Sequence, residues 1–341
     1  MSSPIGIAES PVESPLCDLF GRRHDYLRVS VTDRCNLRCE YCMPPEGIEL
    51  KKREEILRYE EIVRLAAVFA RAGVRRVRLT GGEPLLRPGI EDLVAGLTSL
   101  PGIETVAMTT NGVLLAERAA ALRVAGLARL NVSLDTLRPD RFARLTLCEG
   151  HNAVLAGIEA ALGAGFAPLK INVVVIGGVN DDEILGFVAF AFDKPICVRF
   201  IEYMPFRSNQ WRQTRFVPCR EILGKVRERY RLIPLPDPGN PNRVASEFRL
   251  EGGIGGVGFI ASVSDPACGR CNRLRLTADG SLKSCLFRPA EGNLRDALRS
   301  GATQEELLRR IREVLAGKRQ ARPPVESLRG AGNQSMIEIG G

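Results

Sequence analysis

Apolar residues recur along the first two thirds of the chain with two alternating periods, one of two residues and one close to a helical turn. The run from Tyr26 to Thr32 alternates and reads as a strand. From Tyr59 to Ala72 the period lengthens, with Ile62, Leu65, Ala66 and Phe69 on one face and Gly73 as the stop. Strand-like runs then appear at Arg76 to Thr80, Thr105 to Thr109, Arg129 to Leu134, Leu169 to Ile176 and Val198 to Met204. Helical periodicity covers Leu114 to Ala125, Ala153 to Ala164 and Asp182 to Phe192 between them. Regular alternation of this kind predicts a parallel sheet. The expected fold is α/β, an incomplete (β/α)6 TIM-like barrel with its chemistry at the C-terminal ends of the strands. A doubly wound sheet is the alternative, although no Gly-x-Gly-x-x-Gly follows the first strand.

The pattern changes at the Pro- and Gly-rich stretch from Pro234 to Pro241. Short β-like runs (Glu247 to Leu250, Val257 to Ala261, Arg273 to Thr277) alternate with glycine clusters, and helical runs follow over Asn293 to Ser300 and Gln304 to Ala316. The division expected is a disordered leader over 1–19, a barrel over 20–235, and a smaller C-terminal region over 236–341 packed against it. A Pro-, Gly- and Ser-rich tail from Arg322 is expected to be mobile.

Bulk composition narrows the class. The chain has 341 residues, 45% apolar and 26% charged, as a globular protein of one large barrel or two domains would. No apolar run reaches the roughly 18 residues of a membrane span. The polar N-terminus lacks the basic and apolar regions of a signal peptide. Ten cysteines without a secretory signal point to metal ligands in a reducing, cytoplasmic setting. The net charge of +8 suits an anionic substrate or nucleic acid and does not choose between them. Cys17, Cys148, Cys197 and Cys219 are scattered and read as packing residues or free thiols. His24 and His151 sit in polar contexts and receive no role.

The other six cysteines form two groups. Cys35, Cys39 and Cys42 fall on the loop leaving the first strand. Three thiolates on a short loop can hold three irons of a [4Fe–4S] cube and leave the fourth open to a small chelating molecule. A zinc knuckle or buried structural thiols are the alternatives, and zinc usually takes four ligands in Cys-x-x-Cys pairs. Cys268, Cys271 and Cys285 make a second trio, with a zinc ribbon as the alternative. Between them, Arg273 and Arg275 point to one side if that stretch is a strand. Two guanidiniums beside an open iron suit an anion that carries a nitrogenous ring.

The Cys-x3-Cys-x2-Cys spacing, with Tyr41 between the last two thiols, resembles the signature of the radical S-adenosylmethionine (SAM) superfamily. The resemblance narrows to the GTP 3′,8-cyclase family, also called molybdenum cofactor biosynthesis protein A, over about residues 20–341. It is carried by Asp33 to Pro44, Arg78 to Leu85, Thr109 to Gly112, Asn131 to Asp135, Arg199 to Pro205, Cys268 to Phe287 and the terminal pair Gly340-Gly341.

That resemblance implies two [4Fe–4S] clusters, one on each cysteine trio, and SAM bound near Tyr41, Gly82, Ser133 and Met204. It implies a GTP site lined by Arg28, Arg78, Thr109, Lys170, Arg273, Leu274 and Arg275, with no P-loop. Arg28, Arg78 and Lys170 fall among apolar strand residues, where a triphosphate would compensate a buried cation; solvated charges on strand edges are the alternative. The implied reaction takes hydrogen from C3′ of GTP, joins C3′ to C8 and yields 3′,8-cyclo-7,8-dihydro-GTP, the first step of molybdenum cofactor biosynthesis. Orientation and exclusion of water, rather than an acid–base pair, would carry the catalysis. Gly340 and Gly341 are implied to reach the active site and assist. A homodimer, an external electron donor and transfer of the product to cyclic pyranopterin monophosphate synthase are implied as well, with no nucleic-acid or membrane partner. The rival classes are a peptide-modifying maturase with auxiliary clusters and a non-enzymatic zinc or nucleic-acid-binding module.

Overall fold

The computed structural model describes residues 14–44, 46–207, 209, 211–236, 242–329 and 334–340. Six strands run parallel in chain order: β1 (Tyr26–Ser30), β2 (Arg76–Thr80), β3 (Thr105–Thr110), β4 (Arg129–Ser133), β5 (Leu169–Val175) and β6 (Ile196–Glu202). The helices between them include α1 (Tyr59–Arg71), α2 (Ile90–Thr98), α3 (Leu115–Val124), α4 (Pro139–Thr146), α5 (His151–Gly163) and α6 (Ile184–Phe192). Each strand turns a mainly apolar face to the helices. Leu27 and Val29, Val77 and Leu79, and Leu169, Ile171, Val173 and Val175 are buried in one continuous core with the helices. The alternate positions are less buried and largely polar: Tyr26 and Arg28, Arg76 and Arg78, Lys170 and Asn172. A closed TIM barrel fills its interior with branched apolar side chains. Here the interior face is polar, so the barrel encloses a site instead of a packed centre.

The C-terminal region, expected to pack against the barrel, does so through the sheet itself. It extends the sheet at both edges. β7 (Leu232–Pro234), β8 (Ser246–Leu250) and β9 (Gly256–Ile260) follow β6, while β10 (Arg273–Leu276), β11 (Ser281–Lys283) and β12 (Gly292–Asn293) continue outward from β1. β9 is parallel to β6, and β10 is parallel to β1 with Arg275 opposite Arg28. α7 (Cys219–Arg227), α8 (Leu294–Arg299) and α9 (Gln304–Ala316) add to the outer layer.

Two further expectations are corrected. The disordered leader expected through residue 19 stops short of that: Leu16 is buried, its N–H donates to Ala72 O at 3.1 Å, and Cys17 bridges to Arg23. Residues 1–13 lie outside the described chain. The tail from Arg322 is not loose where it is described, since it ends in α10 (Met336–Ile339) with Ile337 and Ile339 buried. Both histidines are buried, His24 among charged groups and His151 against an aromatic ring. His24 Nε2 lies 3.0 Å from Asp18 Oδ2, and burial followed by the charge of Lys318 holds it down to about 4. His151 packs edge-on to Phe142 at 5.7 Å.

Helix contact is tightest where α5 crosses α3. A Cβ on Gly157 would stand 2.6 Å from Gly112 O and 2.9 Å from Leu115 Cβ. Alanine favours a helix over glycine by about 1 kcal/mol, yet overpacking costs about 1–3 kcal/mol. Gly157→Ala is expected to lower the stability of the apo-protein by about 1–2 kcal/mol in guanidinium denaturation. A gain in stability would mean that α3 and α5 separate freely.

Candidate functional site

The loop carrying Cys35, Cys39 and Cys42 leaves β1 and is held from three sides. Arg38 N and Glu40 N donate to Thr146 O and Leu145 O at the end of α4. Gly82 N donates to Thr32 O at 2.8 Å and Glu83 N to Arg34 O at 2.7 Å. A Cβ on Gly82 would lie 2.1 Å from Arg34 O, and one on Gly81 would lie 2.7 Å from Thr32 O. These glycines therefore let the strand end press against the cysteine loop; Gly82 also lines the cavity beyond.

Glu83 ties the neighbouring strand ends together. Its carboxylate accepts from Thr110 Oγ1 at 2.7 Å, Asn111 N at 2.6 Å and Leu85 N at 2.9 Å, and burial pushes its carboxyl up to about 7. Asn111 in turn donates to Asn36 Oδ1 at 2.8 Å and to Cys35 Sγ at 3.7 Å. On the other side, Tyr41 Oη donates to Asp135 Oδ2 at 2.6 Å, and Val174 N donates to Asp135 Oδ1 at 2.7 Å. Burial raises the Asp135 carboxyl to about 6.

One cavity of about 340 Å³ is lined by all three thiols of this loop and by Cys268, Cys271 and Cys285. Gly82, Thr109, Ser133, Met204, Arg28, Arg273 and Arg275 line it too, so most of the residues picked from the sequence meet there. Tyr41 also lines it. Three do not. Leu274 is fully buried opposite Leu27, so its side chain faces the outer core. Lys170 donates to Glu247 Oε1 at 2.7 Å, on the interior face. Arg78 stands behind Thr109, donating to Tyr26 Oη at 2.5 Å, Met108 O at 3.0 Å and Thr109 Oγ1 at 3.3 Å. Gly340 reaches the strand ends: its carbonyl accepts from Thr80 Oγ1 at 2.7 Å, and a Cβ there would stand 2.4 Å from Ser30 Cβ. Gly341 lies outside the described residues.

The cavity wall is cationic. Arg275, Arg28 and Arg78 are opposite one another in the register of β10, β1 and β2. Burial and then the charge of Arg275 hold the Arg28 guanidinium well below its ordinary value; burial and then Arg273 bring Arg275 down to about 10. Burial would raise the Tyr26 phenol, yet Arg78 and Arg28 bring it to about 8. Nη1 of Arg275 is buried with no hydrogen-bond partner among the described residues. Arg199, not singled out from the sequence, also lines the cavity and donates to Asn172 Oδ1 at 2.8 Å. The Asn131 amide, with its oxygen toward the cations, accepts from Arg199 Nη2 at 2.6 Å and Arg78 Nη1 at 3.3 Å. Its signal lay in the segment from Arg199 to Pro205, an arginine at an interior strand position.

The two trios differ electrically. Burial raises Cys35 to about 11, burial and then Cys35 raise Cys42 to about 12, and burial and then Cys42 hold Cys39 well above the usual thiol range. Burial would also raise Cys271, but Arg273 and Lys318 bring it down to about 7. No three His, Cys, Asp or Glu side chains among the described residues close on a single-ion site. Thiolates around a four-iron cube stand farther apart than those bound at about 2.3 Å to one ion. Three soft sulfur donors in each trio, on one loop for Cys35, Cys39 and Cys42 and on two segments flanking β10 and β11 for Cys268, Cys271 and Cys285, fit such a cube.

Comparison with known proteins agrees with this geometry. Residues 29–191 match the model of the Radical SAM superfamily, and residues 196–323 match that of Molybdenum Cofactor Synthesis C. The chain is 47% identical over 335 residues to GTP 3′,8-cyclase, mitochondrial, of Arabidopsis thaliana, covering 98% of this chain and 86% of that protein. It is 50% identical over 290 residues to GTP 3′,8-cyclase of Moorella thermoacetica, covering 85% and 90%. Molybdenum cofactor biosynthesis protein 1 of Homo sapiens is 44% identical over 331 residues, and there the chain spans about half the relative, 97% against 52%. Among solved structures, Streptococcus suis SuiB bound to precursor peptide SuiA superposes with a TM-score of 0.57 at 15% identity, covering 93% and 70%, a likeness of fold alone. No helix of the described residues is long and apolar enough to cross a membrane.

Glu83→Gln turns one acceptor oxygen into a donor facing a donor. The loss expected is about 1–3 kcal/mol of stability, seen as a lower Tm of the apo-protein. An unchanged Tm would show that the β2 and β3 ends do not depend on this carboxylate.

Proposed function

The chain belongs to the GTP 3′,8-cyclase family, with a radical SAM segment followed by a molybdenum cofactor synthesis segment, and from that membership we propose that it converts GTP to (8S)-3′,8-cyclo-7,8-dihydroguanosine 5′-triphosphate, the first step of molybdenum cofactor biosynthesis. Cys35, Cys39 and Cys42 hold one [4Fe–4S] cluster, with SAM against Tyr41, Gly82, Ser133 and Met204. Cys268, Cys271 and Cys285 hold a second, which receives the guanine ring. Bound together, the first cluster and SAM supply the one-electron chemistry that removes hydrogen from C3′ of the ribose.

The protein's own share is orientation. Arg28, Thr109, Arg273 and Arg275 take the triphosphate and ribose, with Arg199 added to the set, Arg78 holding Thr109 from behind, Lys170 ion-paired to Glu247 beside the site and Leu274 contributing backbone only. Fixing C3′ and C8 against each other removes most of the entropic cost of ring closure. The observation that carries the proposal is one cavity shared by both cysteine trios and lined by Arg28, Arg273 and Arg275, with Arg78 next in register to Arg28 on the neighbouring strand. Guanidiniums abreast repel one another, and a triphosphate between them turns that repulsion into charge-assisted bonds. A cytoplasmic setting, a homodimer, an external one-electron donor and delivery of the product to cyclic pyranopterin monophosphate synthase belong to the same proposal.

Anaerobically reconstituted protein is expected to be brown, with about eight irons per chain. It should release 5′-deoxyadenosine with SAM and reductant in the presence of GTP but not of ATP. Release that is indifferent to the nucleotide would sink the assignment. Arg199→Met is expected to raise the KM for GTP about 10- to 100-fold, as loss of a hydrogen bond to a charged group does; an unchanged KM would place Arg199 outside the GTP site. Deleting Gly340 and Gly341 should abolish cyclisation and leave the iron content intact. Normal turnover of the truncated protein would exclude the tail from the reaction.

A further inference from the structure

A strap just after α9 reaches the second cysteine trio, directly at Cys271 and beside Cys285, and through Arg22 at Cys268. Lys318 is 5% exposed, and its N–H donates to Leu315 O at 3.0 Å, closing the helix. Its Nζ donates to Ser284 O, to Arg273 O at 3.4 Å and to Cys271 Sγ at 3.7 Å. One buried ammonium therefore contacts Cys271 itself, the strand beyond it, and the residue next to Cys285. The following two residues are gripped by Arg22. Its Nη1 donates to Gln320 O and to Cys268 O, each at 2.7 Å, and its Nη2 donates to Arg319 O at 2.8 Å. Arg22 is itself fixed by Asp18, whose carboxylate accepts from Arg22 Nε at 2.6 Å and from the N–H groups of Phe20 and Arg22.

Among the described residues, the hydrogen bonds seen at the first trio are of another kind. Its thiols receive hydrogen bonds from the Leu37 N–H and the Asn111 amide, both neutral donors. Sulfur ligands acquire negative charge when they bind iron, and the reduction potential of a cluster follows its net charge and the hydrogen bonds to its sulfurs. A cation bonded to one ligand sulfur stabilises the reduced form. Outer-shell partners of ligands also govern how tightly the metal is kept.

We propose that Lys318 is the positioning residue of the second cluster, anchoring Cys271 and Cys285 and making that cluster easier to reduce, while Arg22 anchors Cys268 from behind. This rests on the two-cluster proposal above. Neither residue touches the substrate in this account, and both act through the cysteines.

The test compares the full-length wild type with Lys318→Met, Lys318→Arg and Arg22→Lys after anaerobic reconstitution. Iron per chain, resistance to an iron chelator and an EPR-monitored redox titration are read for each. Lys318→Met should lose its second cluster at about 10- to 100-fold lower chelator concentration. Its second centre should also titrate at a more negative potential, while the EPR signal of the first stays as in wild type and reports an intact fold. Lys318→Arg keeps the charge and should restore the potential. Arg22→Lys loses the forked grip and should weaken chelator resistance without moving the potential, which gives a second line of test if Lys318→Met does not fold. A wild type with two clusters and a Lys318→Met variant unchanged in both readouts would overturn the clamp alone. A wild type with a single cluster would overturn the two-cluster proposal, and the clamp with it.

Discussion

Three guanidinium groups held abreast on neighbouring strands set the conditions for the rest of the molecule. Arg275, Arg28 and Arg78 share one register across β10, β1 and β2. Like charges placed opposite each other across a sheet are unfavourable, and burial makes the repulsion stronger. The fold tolerates them because the outer faces of the same strands are wholly apolar: Leu27 and Val29, Val77 and Leu79, and Leu274 and Leu276 are buried with the helices. Stability is thus concentrated on the outside of the barrel, and the inside is left free for a polyanion.

The neutral partners on that inner wall have a matching logic. Tyr26, Asn131, Asn172 and Thr109 orient the arginines without cancelling their charge. A carboxylate in the same place would tie up a cation that the ligand needs, as Glu247 does with Lys170 near the edge of the interior. The carboxylates that are kept near the cysteine loops do structural work. Glu83 gathers the ends of β2 and β3, Asp135 fixes Tyr41, and Glu202 accepts from Val263 N at 2.7 Å and Ser264 N at 2.8 Å, steering the chain toward Cys268.

The βα series was legible because each strand alternates and each long helix keeps one apolar face. All six strands lie within a few residues of their expected positions. The short helices α2, α4 and α7 escaped: α2 carries Gly96, where a Cβ would meet Val63 Cγ2 at 3.1 Å, so tertiary packing and not propensity explains its sequence. Both cysteine trios were legible from spacing alone. Lys318 and Arg22 were not, because a buried cation is recognised by what surrounds it, and their partners lie 47 and 246 residues away. The tail misled for a related reason. Glycine and proline suggest freedom, yet Gly340 sits where only a residue without a side chain fits against Ser30.

The pairing of β1 with β10 joins residues 26 and 273. During synthesis, β1 therefore waits with one row of N–H and C=O groups open until the last quarter of the chain has emerged. Unpaired strand edges invite pairing with other chains, and closing so long a loop slows folding. The strand left waiting leads directly into the first cysteine loop, so a nascent chain presents its iron-binding thiols and a bare sheet edge together. Early capture of iron by that loop would stiffen the edge while its final neighbour is still being made.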